Sequence, residues 1–354
     1  MKKRLIITAV YMLMAISLCC FTAGCSSRPQ NTEADSNVKE DDLIVVGFSQ
    51  VGSESYWRNM NTESMKSVFT KENGYRLIFE DAQQKQTNQI TAIRSFIQRD
   101  VDYIVLAPVV ETGWDTVLSE AREAGIPVII VDRQVNVSDD SLFRCWVGSD
   151  FELEGKLVCM WMSKYFNLKG ISPEEIHIAD IQGTLGSSAQ IGRTNGFNQM
   201  STLYGWDVVD YEEGEFTKSK GKEAMSNILR VHKNVNVVYC ENDSEALGAI
   251  EVLEASGKKC GSDILNGETM IVSFDGFNKE ARECIADGRI SCIGECNPDH
   301  GPRVESIIRK LEAGEEPEKY QYVTEGIFSN TPEIKSVMIS GQERTVTVIN
   351  DQNK

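Results

Sequence analysis

The chain has 354 residues, with 53 Asp and Glu against 36 Lys and Arg and a formal net charge of −17. A surface this acidic, with its basic residues scattered singly and no basic stripe, repels phosphate backbones, which disfavours nucleic-acid binding. The length beyond residue 42 is enough for two domains rather than one.

The first residues address where the protein works. Lys2, Lys3 and Arg4 form a basic start, 5–21 is apolar and uncharged, and "TAGCSS" then sets small residues ahead of Cys25. That order is the layout of an export signal. It resembles a lipoprotein signal, in which 1–24 is removed and Cys25 carries the lipid, although Thr22 stands where that pattern more often has Leu. The alternative is an uncleaved membrane anchor, the apolar stretch being at the short limit for a span. Either reading exports the rest of the chain to the outer face of the cell membrane. Residues 25–42 are polar and acidic, contain Pro29 and show no apolar periodicity, so they are expected to form a disordered tether.

From there strand and helix signals alternate. Strands are expected at 43–48, 75–80, 102–107, 128–132, 176–181, 235–240 and 270–274, most of them continuous apolar runs of the kind buried on both faces of a parallel sheet. The clearest helix is 85–99, with Ile90, Ile93 and Ile97 on one stripe and Ala92 and Phe96 beside it. The pattern is doubly wound α/β. "IVVGFSQVGSES" near the start is echoed by "IHIADIQGTLGSS" at Ile176, and "VIIVDR" and "MIVSFDG" each end a strand in an aspartate. This faint repeat suggests two α/β halves facing each other across a cleft.

Catalytic signals are weak. The three histidines His177, His232 and His300 have no Ser or Cys beside them in a nucleophile motif, and GxSxG, HExxH and GxxxxGK are all absent. The turn "QGTLGSSAQIGR" at Gln182 could cradle an anion but lacks both the GxGxxG order and a following lysine. Beyond Cys25 seven cysteines remain, an odd number without a CxxC pair, and they are expected to be buried thiols rather than a disulfide framework. Cys292, Cys296 and His300 fit no common zinc spacing, so no metal is expected.

What recurs is planar polar side chains at strand ends. Asp132 and Arg133 close "VIIVDR", Asn242 follows "VVYCE" and Asp275 follows "IVSF". Gln83 and Gln84 follow the second strand, and Arg193 lies in the helix after the glycine-bearing turn. Carboxylate, guanidinium and amide groups each grip two adjacent hydroxyls, and aromatic faces suit the C–H faces of a sugar ring. The competing reading is that these residues cap helices and satisfy loops. Trp57, in "SESYWR" where the first strand hands over to a helix, is the candidate stacking residue, with core packing as its alternative; Trp114 is read as packing.

These residues carry a resemblance. The stretches "VGFSQVGSES-WR", "QQKQTNQITAIRSF", "APVVETGWDTVLSEA", "DR" at Asp132, "LEGKL", "IGRTNGF", "GEFTKSKGKEAM" and "FDG" make the chain similar to the periplasmic sugar-binding proteins of the ribose- and galactose-binding type, which feed ABC importers. Within them it looks closest to the galactofuranose-binding kind. Tyr56 departs from a usual small residue, and "YCENDSEA" differs around Asn242. The resemblance implies the type I periplasmic binding fold, two doubly wound parallel-sheet lobes joined by a hinge that the chain crosses three times. The lobes would be 43–147 plus 298–326, and 148–297 plus 327–354. It implies a monomeric solute-binding protein, not an enzyme, that needs no cofactor and hands a monosaccharide to an ABC permease. The alternative partner is a membrane receptor kinase that senses the closed form. The implied ligand positions are Glu54, Ser55, Tyr56, Trp57, Arg58, Gln83, Gln84, Asp132, Arg133, Arg193, Phe216, Asn242, Asp275 and Glu295. Trp57 and Phe216 would sandwich the ring.

Overall fold

The computed structural model describes residues 42–354. The expected leader at 1–24, the expected lipidation site Cys25 and the expected tether up to residue 41 lie outside the described residues. Among the described residues no helix is long and apolar enough to cross a membrane.

The chain opens with β1 (Ile44–Gln50), α1 (Tyr56–Val68), β2 (Tyr75–Asp81), α2 (Gln86–Gln98), β3 (Tyr103–Leu106), α3 (Asp115–Glu123), β4 (Val128–Val131) and β5 (Cys145–Gly148). It passes to a second sheet with α4 (Phe151–Lys169), β6 (His177–Gln182), α5 (Ser188–Tyr204), β7 (Asp207–Glu213), α6 (Lys218–Val231), β8 (Val237–Cys240) and α7 (Asp243–Ala255). There follow β9 (Lys259–Cys260), β10 (Glu268–Asp275), α8 (Lys279–Ala286) and β11 (Cys292–Glu295). It returns to the first sheet with α9 (Gly301–Glu312) and β12 (Tyr320–Tyr322). It ends on the second with β13 (Ile327–Ser329), β14 (Ser336–Ile339) and β15 (Gln342–Val348).

The first sheet runs β12-β5-β4-β3-β1-β2 and is parallel throughout. The second runs β14-β15-β13-β11-β10-β8-β6-β7, with β9 beside β10, and is parallel except where β13 meets β11 and β14 meets β15. Helices cover both faces, so "YIVL" in β3, "VIIV" in β4 and "VVYC" in β8 are buried at every position. Helix α2 buries Gln89, Ala92, Ile93 and Phe96, while Ile90 and Ile97 sit at the rim of the same core, so the buried stripe is rotated slightly from the expected one. Its close approach needs Gly47, since a Cβ there would fall 2.6 Å from the Phe96 ring. Trp114 is fully buried in that core, its indole N–H donating to Val110 O at 2.7 Å.

Strand order reverses between β1 and β3 in one sheet and between β6 and β8 in the other. Ligands of open α/β sheets bind outside the carboxyl ends of the strands at such reversals. The chain changes sheets at 149–150, 296–300 and 323–326. Glu325 fastens these crossings together: its Oε1 accepts from Ser149 Oγ at 3.0 Å and from Asn297 N at 2.5 Å. Cys296 Sγ lies 3.5 Å from the same Ser149 hydroxyl.

All seven described cysteines are buried free thiols, and burial pushes each of them up, to about 11 at Cys145 and about 12 at Cys260 and Cys284. Melting curves recorded with and without a reductant should therefore coincide, whereas loss of a structural disulfide would lower stability by about 2–5 kcal/mol.

Candidate functional site

A cavity with an empty volume of about 300 Å³ opens where the carboxyl ends of the two sheets face each other. From the first half, the β1–α1 turn supplies Glu54, Ser55, Trp57 and Arg58, and the end of β4 supplies Asp132 and Arg133. From the second half come Phe151 at the start of α4, Ala189 and Arg193 on α5, Phe216, Asn242 and Asp275. Cys296, in a sheet crossing, completes the wall.

Three guanidiniums and three carboxylates line the cavity, so their formal charges cancel. Glu54 lies just ahead of α1, four residues before Arg58 in its first turn, and Arg58 Nε donates to Glu54 Oε1 at 3.0 Å while its Nη1 lies 2.7 Å from Asp132 Oδ2. Burial opposes the Arg58 charge, yet Asp132 and Glu54 hold its pKa above the ordinary value. Across the cleft, Arg193 Nε donates to Glu154 Oε2 at 2.8 Å, its Nη2 lies 3.6 Å from Asp275 Oδ1, and its Nη1 donates to Glu241 O. Burial pushes the Asp275 carboxyl well up against the pull of Arg193.

Arg133 differs. Its Nη1 donates to Val109 O at 2.9 Å and its guanidinium lies 5.1 Å from the centre of the Phe216 ring, but its Nε is buried without a partner. Burial, with the nearby Arg58 charge, lowers its pKa to about 10. Glu54 Oε2 is likewise buried and unpartnered.

The aromatic walls are built with equal care. Trp57 is buried, and its indole N–H donates to Cys296 O at 2.7 Å. Phe216 is held by its backbone, with Phe216 N donating to Glu245 Oε1 at 2.8 Å and Phe216 O accepting from Asn242 Nδ2 at 3.1 Å. Its ring lies on Gly183, where a Cβ would come within 1.9 Å. Trp57, Phe151, Ala189, Phe216 and Cys296 form one small apolar cluster.

Ten of the expected residues thus border the cavity and four do not. Tyr56, beside Trp57 on α1, is 45% exposed and points away. Gln83 and Gln84 make a left-handed turn after β2 (φ 51° and 58°) that ties Gln84 N to Val51 O, and neither side chain reaches the lining. Glu295 turns its Oε2 to Gly326 N at 3.0 Å. Successive side chains of a strand point to opposite faces, so the next residue, Cys296, takes the place at the cavity. Two bordering residues are also caps, as the competing reading held. Ser55 Oγ accepts from Arg58 N, and Asn242 forms a capping box with Glu245 at the start of α7. Phe151, Ala189 and Cys296 went unrecognised as lining, because small or apolar side chains give no polar signal. The structure does not bring Cys292, Cys296 and His300 together. The cluster that forms among the described residues is Glu154, Cys296 and Glu325, all buried at the crossings.

Comparison with known proteins agrees with this geometry. The family described as a periplasmic binding protein domain matches residues 44–301. The galactofuranose-binding protein YtfQ of Escherichia coli is 40% identical over 281 residues, 78% of this chain and 85% of that protein. A Mycobacterium smegmatis protein in complex with β-D-fucofuranose superposes with a TM-score of 0.76 at 38% identity, covering 81% of this chain and 91% of the other. The periplasmic component of an arabinose ABC transporter from Shewanella sp. ANA-3, bound to L-arabinofuranose, gives a TM-score of 0.73 at 42% identity, with 80% and 91% covered.

Behind the cavity floor lies a set of buried acids. Burial raises Glu241 to about 8 and Asp243 to about 7, and pushes Asp180 and Glu245 well up. Each therefore binds its proton more tightly in the folded chain than in the unfolded one. For Glu241 and Asp243 the stability this contributes is complete below about pH 4 and is lost as pH rises through about 7–8. His300 acts in the opposite sense: burial lowers it to about 4, so its contribution is present above about pH 6.5 and lost as pH falls. The melting temperature should peak on the acid side of neutral and fall from pH 6 to pH 8.5. Glu241→Gln, which keeps an oxygen for Gly183 N, should reduce that fall by roughly 2–4 °C in a pH series of thermal melts.

Proposed function

The chain belongs to the periplasmic binding protein family, whose members bind solutes rather than transform them, and from that premise we propose that it captures a monosaccharide between its two halves. The observation that carries this reading is a charge-balanced cleft in which planar polar groups with free hydrogen-bonding atoms stand between two aromatic walls. Trp57 and Phe216 take the C–H faces of the ring. Arg133 Nε and Glu54 Oε2 take hydroxyls, and Asp275 and Arg193 reach the same ring from the other half. The cancelling charges favour a neutral sugar over a phosphorylated one.

The relatives bound to fucofuranose and arabinofuranose, and the one named for galactofuranose, support a sugar in furanose form. The halves would close about the crossings at 149–150, 296–300 and 323–326 by a hinge motion. The closed form would deliver the sugar to an ABC importer, the assembly named for one of the similar structures. The "TAGCSS" junction supports lipid anchoring at Cys25, with the binding domain outside the cell membrane as a monomer.

A thermal-shift screen of the mature domain against aldoses in both ring forms tests the reading, and no stabilisation by any neutral sugar would overturn it. In calorimetric titration, Arg133→Ala and Asp275→Asn should each weaken binding by roughly ten- to several-hundredfold while the unliganded proteins melt close to wild type. Binding should hardly depend on salt, because no net ligand charge is there to be screened. Cys25→Ala should accumulate as an unprocessed precursor in membrane fractions, and normal cleavage of that variant would remove the lipid anchor from the proposal.

A further inference from the structure

The two halves also touch directly, away from the sheet crossings. Glu111 N, in the loop after β3, donates to Gly186 O at 2.9 Å. Gln134 N, just after β4, donates to Ser188 Oγ at 2.7 Å. Both acceptors come from one short turn of the second half, the entry to α5, where Ser187 caps the helix. Both donors belong to the first half, and they flank one residue. Gln134 is the chain neighbour of Arg133, and Glu111 is two residues beyond Val109, whose carbonyl takes the Arg133 Nη1 proton. The ring of Phe216, again from the second half, stands against the same guanidinium.

We propose that the turn 186–188 is a latch, and that Ser188 is the positioning residue through which closure of the two halves fixes Arg133. This rests on the reading of Arg133 as a sugar ligand. With the halves apart, Gln134 N bonds to water and the strand end carrying Arg133 is held from one side only. With them together, the Ser188 hydroxyl replaces that water, and both segments that aim Arg133 are clamped by one rigid helix entry. Three of the four groups in the latch are main chain, so Ser188 is where a substitution can open it.

Ser188→Ala leaves Gln134 N half-buried and without its protein partner only in the closed state. It should therefore weaken sugar binding by roughly three- to thirtyfold, chiefly through faster release. The melting temperature of the unliganded protein should not change. Ser188→Thr keeps the hydroxyl and should restore affinity. The deciding measurement is a double-mutant cycle: in an Arg133→Ala background, Ser188→Ala should cost much less than it does in wild type. Full additivity with Arg133→Ala would overturn the positioning role, and so would wild-type affinity in Ser188→Ala or failure of Ser188→Thr to rescue. Wild-type protein titrated alongside separates the two ideas. If it binds the sugar and Ser188→Ala binds equally well, the latch alone falls; if it binds no sugar, the sugar reading falls and the latch falls with it.

Discussion

A guanidinium held out of water must be matched by fixed acceptors, or the fold that buries it is destabilised by several kcal/mol. Three such groups lie in one cleft here, and they are matched unequally. Arg58 has Glu54 and Asp132, and Arg193 has Glu154 and Asp275. Arg133 has one backbone carbonyl and one aromatic face, and no ion pair is recorded for it among the described residues. The first two pairs also hold carboxylates in place, one oxygen on the arginine and the other turned elsewhere, as the unpartnered Oε2 of Glu54 shows. The constraint that neutralises the cleft thus also aims its free acceptors. A ligand meets groups whose ordering was completed in folding, which lowers the entropy it must overcome.

The same inequality bears on movement. Each half has complete cores of its own, on the two faces of its sheet, and none of those four clusters crosses to the other half. The apolar contact that does span both halves is the five-residue cluster around Trp57 and Phe216, which is also the wall of the cavity. Opening therefore exposes little apolar area beyond the site itself, and the balance between open and closed rests on a few hydrogen bonds and on the occupant. A ligand shifts such an equilibrium only by its differential contact with the two states. In the proposed complex, contacts to Arg133 on one side and Asp275 on the other would supply that difference.

The architecture was legible because parallel strands covered on both faces write themselves as unbroken apolar runs, and β1, β3, β4, β8 and β10 all do. Of the strands left unread, β7, β9, β12, β14 and β15 lack buried runs, while β5, β11 and β13 are buried but break off at a Gly or Ser after two or three apolar residues. β7 alternates charge with half-buried positions at a sheet edge, β12 is "YQY", and β15 carries polar residues through most of its length. Polar site residues at strand ends were legible for the same reason that they are useful, since a planar charged group at the close of an apolar run has no packing role. Glu295 and Cys296 mark the limit of that logic. Which of two neighbours faces the cleft depends on where β11 ends, and strand boundaries are the least readable part of a sequence.

The faint internal repeat turns out to be a repeat of backbone shape. Asp132 after β4 and Asp275 at the end of β10 both have left-handed backbones, with φ of 63° and 96°, and Phe216 joins them at 59°. Non-glycine residues adopt that region at a cost, and aspartate is among the few that do so readily. Each is held by a neighbour that over-determines it. Asp132 O accepts from the Trp146 indole at 2.9 Å, and Asp275 O accepts from Cys296 N at 3.2 Å. The kink turns the chain at the strand end, so that the aspartate faces the arginine of its own half instead of continuing the ladder. Two halves with little sequence in common have arrived at the same device, a strained aspartate paired with a helix-borne arginine, because both must place a buried charge at the carboxyl edge of a parallel sheet.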